Sequence, residues 1–138
     1  MYGSLDISVS GMIAQRTRLE VIQSNIANMH VLEDAEGNFA PYLRRAAMFA
    51  PGDPAARTDA GRRLGVHVAE IQADERALVR RHDPSNPHAD RDGYVMVPDI
   101  NPVVENINAM EAARAYEANV AAAETTKAMM AQALRLLA

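Results

Sequence analysis

The residues best suited to binding a metal lie in one run, HDPSNPHADRDG, at 82–93. Counted from His88, this run and its continuation nearly match a calcium-binding EF-hand loop, which has oxygens at positions one, three and five, glycine at six and an acid at twelve. The matching residues are His88, Asp90, Asp92, Gly93 and Asp99. A histidine nitrogen replaces the first oxygen, however, and Pro84 and Pro87 exclude an entering helix. The run therefore predicts a turn stabilised by proline and aspartate that leads into a strand at 94–97, and no metal site.

Catalytic motifs are also missing from the sequence. Ser24 and Ser85 sit in no nucleophile elbow, and there is no glycine-rich phosphate loop and no cysteine. Acidic pairs such as Asp90 and Asp92 lie where a solvated turn would place them. The sequence predicts no catalytic residue, no cofactor and no small-molecule substrate.

The composition limits the class of protein further. Of the 138 residues 49% are hydrophobic, but many are alanine and only 4% are aromatic, so material for a globular core is sparse. A net charge of −4 and arginine pairs without interleaved aromatics disfavour nucleic-acid binding. The N-terminal residues lack the pattern of a cleaved secretory signal, and no apolar run reaches membrane-spanning length. If the protein leaves the cytoplasm, we expect another route to carry it.

The longest predicted element is an alanine-rich helix from Pro102 to Leu137. Asn101 can cap it, and proline is tolerated at its first position. Four pairs that recur at alternating spacings of three and four residues indicate a seam for another helix: Ala113/Tyr116, Val120/Ala123, Lys127/Met130 and Leu134/Leu137. The glutamates are expected on the outside: Glu105, Glu111, Glu117 and Glu124. At about 1.5 Å per residue, this helix would be roughly 50 Å long, too long to bury itself on a compact core.

A second helix is predicted from about Leu5 to Asn28. Apolar residues recur in it every seven positions, with one more between them: Leu5, Met12, Leu19, Ile22 and Ile26. Polar residues interrupt the seam, and Gly11 costs the helix about 1 kcal/mol relative to alanine. The sequence therefore predicts two helices that are marginal alone and become ordered in a larger assembly. At the end of the first, Asn25 and Asn28 favour either a helix cap or a fixed hydrogen-bonding contact between subunits.

The middle of the chain lacks helical periodicity. An acidic turn is predicted at 33–38, a short strand within 39–49 and a mobile loop at 51–63. Alternation at 64–68 predicts a strand with a bulge near Glu70. The economical expectation is that it forms a hairpin with Ala77-Leu78-Val79 through the turn at 73–75.

With these motifs in place, the chain resembles the bacterial flagellar basal-body rod proteins, specifically the proximal rod proteins of the FlgC type. The matching segments are LDIS at 5–8 with Gly11; Ala14-Gln15-Arg16 and Leu19; SNIAN at 24–28; DP at 83–84, NP at 86–87, Ala89-Asp90 and GYV at 93–95; Pro98; ARAYEANV at 113–120; and Lys127 with Met129-Met130. They cover nearly the whole chain in the expected order.

The resemblance implies a structural, non-enzymatic role in a helically assembled drive shaft for flagellar motility. It implies three parts: an axial helix at 1–29, a β-rich middle at 30–100 and a second axial helix at 101–138. The helices would pair antiparallel, line the export channel and contact other copies and other rod proteins. Export through the flagellar type III apparatus, without a cleaved signal, would deliver the chain to the periplasmic rod.

The expected fold is thus mainly α, with an antiparallel, coiled-coil-like pair of terminal helices around a middle that contains a β-hairpin. The residues expected in helix seams and assembly are Leu5, Met12, Leu19, Ile22, Ile26, Tyr116, Val120, Met130, Leu134 and Leu137. Polar contacts between helices or subunits are expected from Asn25, Asn28 and Asn119. The alternative that the residues leave open is a cytoplasmic helical adaptor or chaperone-like binding module, which would stay in the soluble fraction.

Overall fold

The computed structural model describes residues 2–52, 54, 62 and 64–137. Two long helices flank four strands in the sequence. The elements in chain order are α1 (Tyr2–Ala27), β1 (Arg45–Pro51), β2 (Val66–Ala73), β3 (Leu78–His82), β4 (Tyr94–Pro98) and α2 (Pro102–Leu137). The predicted fold class, a long helix pair around a small β region, is confirmed. Of the loop predicted at 51–63, residues 53, 55–61 and 63 lie outside the described residues.

The ends of both helices are set by local hydrogen bonds. Asn101 caps α2, because its Oδ1 accepts hydrogen bonds from the backbone N–H groups of Val103 (2.9 Å) and Val104 (3.4 Å). At the end of α1, the backbone N–H of Asn28 donates to Ser24 O at 3.1 Å, and its side-chain Nδ2 donates to the same oxygen at 2.8 Å. The asparagine at this end therefore supports the last turn of its own helix.

The two helices run antiparallel. Asn25 on α1 bonds to Glu105 on α2, Arg18 pairs with Glu111 at 3.6 Å, and Gly11 lies against Asn119. From one contact to the next, the residue number on α1 decreases while the residue number on α2 increases, so the helices are antiparallel, as the resemblance implied. Within the described residues, no helix combines the length and the apolar character needed to cross a membrane.

The four strands form two separate two-stranded antiparallel sheets, β1 with β2 and β3 with β4. The predicted hairpin between 64–71 and 77–79 was therefore wrong. Asp74 N donates to Arg44 O and extends the first sheet, whereas Asp99 N donates to Ala77 O and extends the second. The turn between them passes the chain from one sheet to the next and does not fold it back.

Two other strand predictions have different outcomes. The bulge expected near Glu70 is confirmed, since Met48 pairs with Glu70 and Phe49 with Val68, which leaves Ala69 without a partner. The strand expected within 39–49 was wrong in its first half. Ala40 N and Tyr42 N donate to Leu32 O and Val31 O, so residues 40–42 close the acidic turn at 33–38 and the strand begins only at Arg45.

Candidate functional site

A buried polar junction joins α1, β1 and α2. The Asn25 side chain is fully buried, and its Nδ2 donates to Arg45 O (2.8 Å) and Glu105 Oε2 (3.1 Å). Its Oδ1 accepts from Arg45 N (2.9 Å) and from the Tyr42 hydroxyl (3.1 Å). One side chain thus satisfies both backbone groups at the start of β1 and ties that strand to both helices.

The junction contains one buried negative charge. Glu105 is only 1% exposed. Arg44 donates to its Oε1 from Nε (2.9 Å) and from Nη2 (2.7 Å), while Asn25 occupies Oε2. Such charge-assisted bonds offset the desolvation of the carboxylate. The expectation that Glu105 decorates the outside of the helix was therefore wrong, because tertiary contacts place it on the face that meets α1.

A close approach of the helices depends on Gly11. A Cβ built on this glycine would lie 2.8 Å from Asn119 Nδ2 and 2.9 Å from Asn119 Cγ. The Asn119 side chain fills the space that a larger residue would occupy, and its Nδ2 donates to Ala115 O at 2.9 Å. In the sequence Gly11 counted only as a cost to helix formation; the structure shows that it makes room for α2.

The predicted seam residues differ in their exposure within one chain. Ile22 is buried. Tyr116 and Leu134 are exposed, and the side chain of Leu137 lies outside the described part. The half-buried members are Leu5, Met12, Leu19, Ile26, Val120 and Met130. Their role in assembly stays a prediction.

The row Leu5, Met12, Leu19 and Ile26 does not point at the sheets. Residues 3, 10 and 24 of α1 contact the middle of the chain, whereas residues 11, 18 and 25 contact α2. In the sevenfold repeat of the helix, the second set comes one position after the first. Each residue turns a helix by about 100°. The row from Leu5 to Ile26 comes one position after the row that contacts α2. It therefore lies beside α2, on the side of the helix pair away from the sheets.

The predicted row on α2 turns to that same side. The residues of α2 that meet α1 are Glu105, Ala112 and Asn119, and Asn108, on one side of them, lines a groove with β1. Ala113 and Val120 follow the contact row by one residue and lie on the opposite side. By the helical repeat, the row Leu5, Met12, Leu19 and Ile26 of α1 and the row that starts with Ala113 and Val120 of α2 thus lie on one side of the helix pair, away from the sheets. The surface between these two rows is called here the helix groove.

The run at 82–93 forms a turn between β3 and β4, as predicted. Asp90 Oδ1 accepts from Asp92 N (3.0 Å) and Tyr94 N (2.8 Å), and its Oδ2 accepts from Arg80 at 3.0 Å. His88 has turned away, and its Nε2 lies 2.7 Å from Glu33 Oε1. Among the described residues, no group of three or more histidines and carboxylates is placed to hold a metal ion.

Asp90 should make this turn sensitive to acid. The backbone N–H of Tyr94, with smaller contributions from Asp92 and Arg80, holds the pKa of the Asp90 carboxyl below its ordinary value of 3.8. Because the folded pKa is lowered, its stabilisation is complete above about pH 4 and is lost as the pH falls through the lowered value. We expect the Tyr94 amide resonance to titrate with a midpoint below 3.8 in NMR spectra and not to titrate there in Asp90→Asn. A midpoint at or above 3.8 would contradict this.

Known proteins resemble the chain at both ends and along its full length. Residues 5–31 match a family described as flagella basal body rod protein, and residues 91–136 match flagellar basal body rod FlgEFG protein C-terminal. The flagellar basal-body rod protein FlgC of Borreliella burgdorferi is 35% identical, with 99% of this chain and 97% of that protein covered. FlgC of Bacillus subtilis is 33% identical, covering 98% and 97%, and FlgC of Salmonella typhimurium is 35% identical, covering 95% and 93%.

Proposed function

The chain belongs to the FlgC family of flagellar basal-body rod proteins, and we propose that its two long helices build the wall of the proximal rod. It is a structural subunit of the flagellar basal body, not an enzyme, and it assembles with other rod components. In the proposal, the axial helices at 1–29 and 101–138 form the inner layer around the export channel, and the β-rich middle at 30–100 lies outside it.

The helix groove is the observation that supports this proposal most strongly. The helix pair alone only half-buries Leu5, Met12, Leu19 and Ile26 of α1 and Val120 and Met130 of α2, and it leaves Leu134 exposed, although both rows carry the sevenfold spacing of helices that bury such rows against one another. A third helix laid along the groove would complete the burial. The α-helix of a neighbouring rod subunit has the required shape.

A second apolar face supports contacts on another side of α2. Val103, Ile107 and Met110 are 53–64% exposed and recur at spacings of four and three, about half a turn away from Glu105 and Ala112. A helix that is apolar on two separate faces is suited to a position between neighbours. Long helices packed side by side in this way would give a torque-transmitting tube its stiffness.

Assembly is proposed to order the parts of the helices that lie far from the polar junction. The polar junction ties the C-terminal part of α1 to the first turns of α2, whereas polar residues such as Gln15 and Arg16 interrupt the seam beyond it. A loose distal pair would suit passage through the flagellar type III export apparatus to the periplasm without a cleaved signal. Circular dichroism of the purified monomer at micromolar concentration should show less helix than the structure contains. Two complete helices that melt cooperatively would contradict this.

The role of the helix groove is tested by Leu19→Glu. The substitution places a charge in the centre of the groove, and we expect recovery of the subunit in purified basal bodies to fall by about tenfold or more, because a buried unpaired charge is costly at an interface. Swimming in soft agar should fall with it. The purified chain should keep its dichroism spectrum, since Leu19 is only half-buried in the monomer.

Leu19→Met is the matched control, because it keeps an apolar side chain of similar volume at the same position. It should assemble and support swimming like the unmodified chain. Normal recovery of Leu19→Glu in basal bodies would remove the helix groove from the proposal. Cell fractionation tests the wider role: a rod subunit co-purifies with basal bodies, whereas a helical adaptor stays soluble.

A further inference from the structure

We propose that the acidic turn of one copy, residues 33–38, docks into a groove beside β1 on a neighbouring copy of the same chain. This inference rests on the proposed function, since it names one lateral contact within the rod. The groove, called here the arginine groove, has a volume of about 320 Å³ and lies between three elements. Its walls are Val21 and Ile22 of α1, residues 45–49 of β1, and Asn108 of α2.

The arginine groove follows the open edge of β1. Five consecutive residues of the strand line it, and since successive side chains of a strand point to opposite faces, such a set marks an edge. The other edge of β1 is paired with β2. At the mouth, Met48 is 47% exposed and Phe49 is 39% exposed. The groove thus offers apolar surface that one subunit leaves in contact with water.

Three arginines give the groove its charge. Arg44 is bound to Glu105, and Arg18 lies 3.6 Å from Glu111. Arg45 has no carboxylate within ion-pair distance in the described part of the chain, and its guanidinium lies 5.3 Å from the centre of the Tyr42 ring. The lining therefore carries an excess of positive charge, and an acidic partner is favoured.

The acidic turn has the complementary properties. Glu33, Asp34 and Glu36 are all exposed, and the segment 31–43 contains no basic residue. The turn is flanked by Val31 and Phe39, whose side chains are also exposed. Asp34 Oδ1 accepts from Glu36 N (3.0 Å) and Asn38 N (2.8 Å), so the turn is already held in shape and little entropy is lost on docking.

The positions of the two surfaces favour copies that stand side by side. The acidic turn follows the C-terminal end of α1, and the arginine groove lies beside residues 18–22 of the same helix. Two copies that stand side by side, without a shift along their helices, would therefore bring the acidic turn of one copy to the arginine groove of the next. Since the two surfaces differ, the contact is heterologous and can repeat around a ring or helix, as a tube wall requires.

Charge reversal tests the contact. Glu36 and Arg45 form the best pair, because neither has a charged partner among the described residues. We expect Glu36→Arg and Arg45→Glu each to lower subunit recovery in basal bodies by about tenfold, and the double variant to restore most of it, since it re-forms the one ion pair with its charges exchanged. Glu75→Arg, in an exposed turn, should behave like the unmodified chain. Failure of the double variant to improve on either single variant would overturn the proposal.

Cross-linking identifies the occupant directly. The chain has no cysteine, so Ala35→Cys in the turn and Ala47→Cys in the groove, placed in one chain, are the only thiols that its copies can join. Bonds between two copies of the same cysteine would also appear in the single variants. Mild oxidation of basal bodies should give a ladder of dimers, trimers and larger species, whereas each single variant and the pair Ala35→Cys with Ala69→Cys should give none. Swimming cells whose basal bodies yield no ladder, or a bond to a different rod protein, would overturn the inference while leaving the rod role intact. Absence of the unmodified chain from basal bodies would instead overturn the proposed function.

Discussion

Asn25→Leu is expected to abolish cooperative folding of the chain. Leucine is close to asparagine in size but can neither donate nor accept a hydrogen bond. The substitution would leave Arg45 N, Arg45 O and one oxygen of Glu105 buried without their partner. Each unpaired buried group costs about 1–3 kcal/mol, and the cost is larger for a charged group such as the Glu105 carboxylate. A small protein has only about 5–15 kcal/mol of total stability.

Urea unfolding followed by circular dichroism measures this effect, and basal-body recovery gives a second readout. Asn106→Leu is the control, because it makes the same change at an exposed position of α2, where the unfolding free energy should shift by no more than about 0.5 kcal/mol. If Asn25→Leu unfolded at the same urea concentration as Asn106→Leu, the polar junction would be dispensable, and the attachment of the sheets to the helix pair would need another explanation.

Gly11→Leu is expected to force the two helices apart. The new side chain would occupy the space that Asn119 now fills, and overpacking of this kind costs about 1–3 kcal/mol. It would also displace the Asn119 amide from Ala115 O. We expect lower helix content in the purified chain and, since the distortion would recur in every copy of the subunit, loss of the variant from basal bodies.

A compensating pair separates this steric effect from helix propensity. Gly11→Ala with Asn119→Ala removes the obstruction and replaces two weak helix formers, so this variant should contain at least as much helix as the unmodified chain, with a gain of about 1 kcal/mol from Gly11 alone. Normal assembly of Gly11→Leu would show that the helices do not need to approach closely at this point.

The helices could be predicted from the sequence because their signals are local. Asn101 caps α2 through atoms two and three residues away, and the absence of proline lets both helices continue. Leu5, Met12 and Leu19 recur every seven residues, and the helical repeat alone is enough to place them in one row on the surface of α1. The turn at Asp90 follows the same logic, since all its bonds lie within a few residues or one hairpin.

The strand pairing and the polar junction could not be predicted in this way. The turn at 73–75 looked like a hairpin, but β2 has β1 as its partner and β3 has β4, and that choice depends on segments far away in sequence. Glu105 has the spacing of a solvated glutamate, and no local signal shows that Arg44 and Asn25 will surround it. A buried charge becomes visible only when its distant partners are in place.

By itself, then, the sequence of this rod subunit determined two long helices, their caps and their apolar rows, since each depends on residues within a turn or two. Tertiary structure decided the rest: which rows meet within the chain, which remain half-covered in the helix groove, and that Gly11 is a point of contact. The physical reason is that a helix repeat sets the spacing of a row on its surface, whereas the direction in which that row faces depends on the elements that pack around it.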